Sequence, residues 1–183
     1  KDLVDLLKAN PDKSSYASSG NGTPLHLSGE LFKSMAGVSL QHIPYKGAGP
    51  ALNDVVGNQV PVMFDNLPSS SSHIKGGTLR ALGVTTKERA PSFPDLPTIA
   101  ETIPGYETYT WNALFAPPGT PPEVIATLNK AANEAMKDPA VIERMKEFSA
   151  TIVGSTPEEL AAHVKAEVAK WTPVVKEANV QMD

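Results

Sequence analysis

The sequence contains no cysteine, which removes thiol nucleophiles, disulfide staples and cysteine-based metal sites at once. Long apolar runs are missing too, since none approaches the roughly 18 residues of a membrane-spanning helix. The opening KDLVDLLKANP reads as an amphipathic helix and not as an export leader. Positive charge is in short supply. Sixteen Lys and Arg stand against 20 Asp and Glu, giving a net charge of −4 with no basic stripe, so there is no electrostatic footprint for nucleic acid. The histidines, His26, His42, His73 and His163, lie far apart without the spacing of a metal-binding pair. No metal constellation is present, and nothing asks for a cofactor.

What is present is ordinary globular composition. Hydrophobic residues make up 40% and charged residues 20% of 183, enough for a buried core in one or two domains. Apolar spacing predicts a helix over 2–8, a strand over 15–18, and a helix over 24–36 with Thr23 as its cap, Pro24 in its first position and Gly37 closing it. A strand over 40–45, a short helix through Leu52, Val55 and Val56, and strands over 60–65 and 79–85 continue the alternation. That pattern is the signature of a parallel or mixed α/β sheet. A Pro-rich stretch follows, with a short helix near 98–102, and YETYTWNALF predicts a long strand over 106–115. Beyond it TPPE reads as a capping box with Thr120 as cap. Asp138 caps a further helix, a brief strand covers ATIV, and a last capped helix spans 155–178. The chain thus divides near residue 106 into an α/β part and a strand with three helices. The apolar faces of those helices exceed what so little sheet can cover.

The richest local signal is SSGNGTPLH, where a strand becomes a helix. A strand end feeding a helix N-terminus leaves backbone N–H groups unpaired at the positive pole of the helix dipole, which suits a carboxylate or phosphate. Ser18, Ser19 and Thr23 add hydroxyls, and Gly20 and Gly22 allow close approach to the backbone. Two other readings compete. The same residues make a tight turn, or Ser18 or Ser19 with His26 and Asp65 supplies the residue types of a hydrolytic triad. The stretch lacks the ending of a phosphate-binding P-loop and the hydrolase elbow G-x-S-x-G. Tyr45, Lys46 and Gly47 follow the next strand, and Asp65 and Asn66 follow the one after. If the sheet is parallel, all three polar clusters lie on one edge, where open α/β sheets bind ligands. His42 in a strand and His163 on a helix read as structural.

Taken in order, YASSGNGTPLHLSGELFKSMAGV, HIPYKGAGPALNDVVGNQVPVMFDNLPSS, IKGGTLRALGVTTKERAPSFPDLPTIAE, TWNALFAPPGTP and STPEELAAHVKAEVAKW resemble the TctC-like Bug family, the extracytoplasmic solute receptors of tripartite tricarboxylate transporters. The resemblance covers almost the whole chain. It implies a type II-like periplasmic-binding-protein fold: a second α/β lobe with a mixed sheet over 1–105, and over 106–183 a hinge strand with helices that return to a first lobe. It implies capture of a small organic carboxylate in the periplasm, without catalysis, and delivery to membrane permease subunits; signalling to a membrane sensor is the alternative role. Matched motif by motif, the ligand groups are Ser18, Ser19, Gly20, Asn21, Gly22, Thr23, His26, Tyr45, Lys46, Gly47, Asp65 and Asn66. In the family a leader, most of the first lobe and a crossing strand precede the position of Lys1. A homodimer is therefore expected to cover faces left by that lobe.

Overall fold

The computed structural model describes residues 1–11 and 13–181. Contact density divides the chain into two compact units, one of Lys1–Thr110 with the residues from Pro173 on, the other Trp111–Thr172.

The first unit is α/β. Helix α1 (Asp2–Ala9) precedes strand β1 (Ser15–Ser18), which is followed by α2 (Pro24–Ala36), β2 (Gln41–Pro44), α3 (Ala48–Val56), β3 (Val62–Met63) and α4 (Leu67–Lys75). The three strands run parallel in the order β2-β1-β3. Parallel neighbours cannot be joined by a hairpin, so α2 and α3 serve as the crossovers. β1 pairs on both sides, Ser15 to Ser18 with Gln41 to Pro44, and Tyr16 and Ala17 with Val62 and Met63. Its central place explains why Tyr16, Ala17 and Ser18 are entirely buried.

Helix α2 forms where the cap, proline and glycine signals place it. Thr23 is extended and its hydroxyl accepts from the His26 N–H, while Gly37 stops the helix at φ 60°, a left-handed conformation that favours glycine. The helix buries Leu25, His26, Ser28, Gly29, Glu30 and Phe32. Gly29 in mid-helix costs about 1 kcal/mol of helix propensity relative to alanine. Its reason is steric: a Cβ there would lie 2.2 Å from the Tyr16 ring. The bare backbone lets the Tyr16 ring approach α2 closely and donate its hydroxyl to Glu30 Oε1 at 2.7 Å. Around that ring pack Leu7, Phe32, Leu40, Phe64, Ile103 and Tyr106, with Phe64 edge-on to Tyr16 at 5.7 Å. Tyr106 closes the cluster by donating to the Ser28 carbonyl at 3.0 Å.

The second unit carries α5 (Pro122–Ala135), α6 (Pro139–Glu147) and most of α7 (Pro157–Glu177). Asp138 caps α6 by accepting from the Ala140 N–H, and Thr156 with Glu159 makes a reciprocal capping box at the head of α7. The Trp111 and Trp171 indoles both donate to Glu167 Oε2, at 3.3 and 3.0 Å.

Several sequence expectations are corrected. The expected mixed sheet is purely parallel among the described residues, because neither apolar run beyond β3 builds a ladder. Among the described residues the 79–85 run makes only an isolated bridge, Val84 to Thr98, and 106–115 forms no strand and is joined to that run through the Thr108 N–H and the Thr85 carbonyl. The strand expected at ATIV is irregular. Thr120 does not cap α5, whose cap position falls on Pro121. With two prolines at the helix head, the Thr120 hydroxyl turns back to the Pro117 carbonyl at 2.8 Å.

The contact between Gly29 and Tyr16 yields a first prediction. Gly29→Ala raises helix propensity yet lowers stability by about 1–3 kcal/mol through overpacking, read as a lower urea midpoint. A midpoint at or above that of the parent would show that the ring does not bear on α2.

Candidate functional site

Because the strands are parallel, their carboxyl ends share one edge, and the turn after β1 lies between those after β2 and β3. The Tyr45 N–H donates to the Ser18 carbonyl and the Gly47 N–H to the Ser19 carbonyl, each at 3.1 Å, which zips the first two turns together. At Gly20, with φ 135°, a Cβ would stand 3.2 Å from the Tyr45 carbonyl oxygen. On the other flank Asp65 and Asn66 line a narrow cleft with Leu25, Ser28, Thr85 and Thr108.

Inside the 19–23 turn most donors are already engaged. The Gly20 N–H reaches Ser18 Oγ at 3.2 Å, the Gly22 N–H reaches His26 Nδ1 at 3.1 Å, and the Thr23 hydroxyl donates to the Gly20 carbonyl at 2.8 Å. The turn therefore caps itself. In the first turn of α2, Pro24 has no N–H, and the His26 and Leu27 N–H groups go to Thr23. Among the described residues this leaves the N–H of the buried Leu25 as the backbone donor not engaged at the positive end of the helix.

Ser18 points away from this opening. It is entirely buried, with Oγ 2.6 Å from His42 Nε2. The residue types of a triad are thus not assembled: Ser18 meets His42, His26 gives its Nδ1 to Gly22, and Asp65 accepts from Ser69. Beneath the turn the His26 and His42 rings stack at 3.7 Å and 8°. With Nδ1 accepting, neutral His26 carries its proton on Nε2, facing Glu30 Oε1 at 3.7 Å. Glu30 in turn holds Lys33, at 2.8 and 2.9 Å, and the Tyr16 hydroxyl. His42, which read as structural in the sequence, is therefore part of the support of the turn. Only the parallel register of β1 and β2 reveals this, by setting His42 opposite Tyr16.

The remaining expected residues divide. The Tyr45 hydroxyl is taken by Asp54 at 2.7 Å on α3, and Lys46 is exposed. Asn66 heads α4 and accepts from the Thr110 hydroxyl at 2.9 Å. Asp65 Oδ2 accepts from Ser69 at 2.7 Å, while Oδ1 is buried without a partner, and burial pushes its pKa up. Ser28 and Thr108 went unremarked in the sequence. The Ser28 hydroxyl lies 2.8 Å from both the Pro24 carbonyl and the Thr108 hydroxyl, tying the wall of the cleft to α2 across 80 residues of sequence. Among the described residues no cluster could hold a metal, and no helix is long and apolar enough to cross a membrane.

Burial lowers the pKa of His26 and, with help from the charge of its neighbour, takes His42 down to about 4. The unfolded chain then binds more protons than the folded one below about pH 6.5. Stability from the pair is complete above that value and drains away as pH falls towards about 4. Asp65, with a raised pKa, acts in the opposite sense. The thermal midpoint is expected to fall over this window, and less steeply in His42→Gln, which keeps a donor near Nε2 but does not titrate and leaves Asp65 in place. Parallel pH profiles for the two proteins would contradict the linkage.

The description "Tripartite tricarboxylate transporter family receptor" belongs to a family model that matches residues 1–180. A UPF0065 protein from the tcbD-tcbE intergenic region of Pseudomonas sp. strain P51 is 42% identical over 182 residues, covering 97% of this chain and 54% of its own. Protein BugT of Bordetella pertussis is 36% identical over 181 residues, covering 98% and 56%. Among solved structures, R. palustris Rpa4515 with adipate superposes with a TM-score of 0.89 at 38% identity, over 100% of this chain and 61% of that one. MatC (Rpa3494) from Rhodopseudomonas palustris with bound malate gives 0.81 at 31% identity, over 94% and 60%. The chain spans a little over half the length of the curated relatives. It belongs to the family of tripartite tricarboxylate transporter receptors, the one its linked motifs resemble.

Proposed function

We propose that this chain contains the ligand-binding lobe of a periplasmic receptor that captures a small organic carboxylate and presents it to the permease subunits of a tripartite transporter. The observation that carries the reading is the gathering of three polar turns, 19–23, 45–47 and 64–66, on one edge of a parallel sheet, at the mouth of α2. Support comes from the two R. palustris relatives, whose structures hold the dicarboxylates adipate and malate.

In this reading one ligand carboxylate sits at the head of α2, taking the Leu25 N–H and the Ser19 hydroxyl. Gly20, Asn21, Gly22 and Thr23 shape the turn around it, and His26 holds that turn from below. Lys46 and Gly47 border the same edge, with Lys46 contributing a screened positive charge. Asp65 and Asn66 face the rest of the ligand from the far flank. Ser18 and Tyr45, both committed elsewhere, act through the backbone of the turn. The assignment of 1–105 to the binding lobe and of 106–183 to a hinge strand and returning helices belongs to the same proposal. So does a second copy of the chain as cover for apolar side chains such as Leu114, Phe115 and Val153, which are 74%, 64% and 84% exposed.

The test is a thermal-shift titration of the chain against mono-, di- and tricarboxylates. A dose-dependent rise is expected for at least one dicarboxylate, with affinity falling about fivefold in Ser19→Ala, the loss of one hydrogen bond of about 1 kcal/mol. A flat response across the panel would contradict carboxylate capture by this lobe.

A further inference from the structure

We propose that His26 is a pH-sensitive anchor of the 19–23 turn: its neutral ring holds the Gly22 N–H, and protonation of the stacked His26–His42 pair lets the turn go. The consequence for ligand release rests on the carboxylate reading above; the anchor itself does not.

The geometry makes the anchor depend on charge state. The bond at 3.1 Å from the Gly22 N–H to Nδ1 exists only while Nδ1 is unprotonated. A proton there sets two donors against each other at contact distance, and the turn must move or the ring must leave. Protonating the ring on His42 instead places a positive charge against the face of His26, 3.7 Å away. Two imidazolium ions repel strongly at that separation with one ring buried and the other half-buried, so each ring suppresses the charging of the other.

Around the pair Lys33 disfavours the charged rings and Glu30 favours them, with burial outweighing both. From α2, Glu30 Oε1 faces His26 Nε2 at 3.7 Å, and Lys33 lies behind Glu30. From β1, the Tyr16 hydroxyl donates to Glu30 and to the His26 carbonyl, and Ser18 closes on His42. Among the described residues Glu30 is the carboxylate that faces the rings, and it is already shared between an ammonium and a phenol, which weakens its pull on an imidazolium. Desolvation is the first cause of the lowered pKa at both rings. When acid overcomes these restraints, the Gly22 N–H loses its acceptor. Gly22 holds φ 71°, a left-handed conformation that glycine can leave at little steric cost. The turn then relaxes beside the Leu25 donor, and affinity for a carboxylate at the head of α2 falls.

The deciding experiment follows the Gly22 amide by nuclear magnetic resonance in the full chain, from about pH 7 to about pH 4. Its shift and its exchange protection factor are expected to titrate together with the His26 ring. In His26→Asn, whose Oδ1 stands near the place of Nδ1 and accepts without titrating, protection should persist across the range. In His26→Leu it should be low throughout. Equal Gly22 protection in the parent and His26→Leu at neutral pH, or the same pH profile in the parent and His26→Asn, would overturn the anchor. Adipate serves as the ligand probe: its stabilisation should weaken with acid at least about threefold more in the parent than in His26→Asn, a comparison that cancels protonation of adipate itself. A chain that ignores adipate at every pH while Gly22 still follows His26 would count against carboxylate capture and for the anchor.

Discussion

The fit of the Tyr16 ring against the bare backbone of Gly29 is the constraint on which the rest depends. It brings the central strand and the first crossover helix closer than a side chain at residue 29 would allow. That approach lets the Tyr16 hydroxyl reach Glu30, and Glu30 can be buried because Tyr16 and Lys33 satisfy it. The same ring packs against Phe64, which leads directly into Asp65. One contact thus sets the distances from β1 to the helix that begins the site and to the turn on its far flank.

Electrostatics at the site follow from this packing. A helix N-terminus gains from a negative partner, yet here the polar groups of the turn mostly satisfy one another, and His26 replaces a ligand as acceptor for Gly22. The turn is preorganised, so a carboxylate binding beside it would not have to order it first. The arrangement has a cost. A buried histidine and a half-buried one are stacked side by side and kept neutral, and an Asp65 oxygen is buried without a partner. Polar groups so placed weaken a core unless something outside the fold makes use of them.

Much of the first unit was legible. The helix over Pro24–Ala36 carries its cap, its proline and its closing glycine in the sequence, and β1 was bounded on both sides by small polar residues. Strand alternation with helices also placed the three turns on one edge, because parallel connectivity leaves no other choice. Elsewhere local pattern misled for a physical reason. YETYTWNALF has the side chains of a strand, but a strand needs a ladder, and among the described residues this segment finds one distant backbone partner, at Thr85, besides the local turn from Tyr106 to Ile103. Thr120 has the right spacing for a capping box, but consecutive prolines shift the helix start by one residue. The pairing of His26 with His42 could not be read at all, since two residues 16 apart meet only through the register of β1 and β2 and the packing of α2 over them. Ser28 with Thr108 is a still longer case of the same limit.

The most direct measurement is amide chemical-shift mapping of the chain during titration with adipate at neutral pH. The account predicts saturable shifts that are largest at Ser19, Gly20, Gly22 and Leu25, with a second group at Asp65 and Asn66. Binding whose shifts bypass all of these residues, or no saturable shift at any adipate concentration, would contradict it.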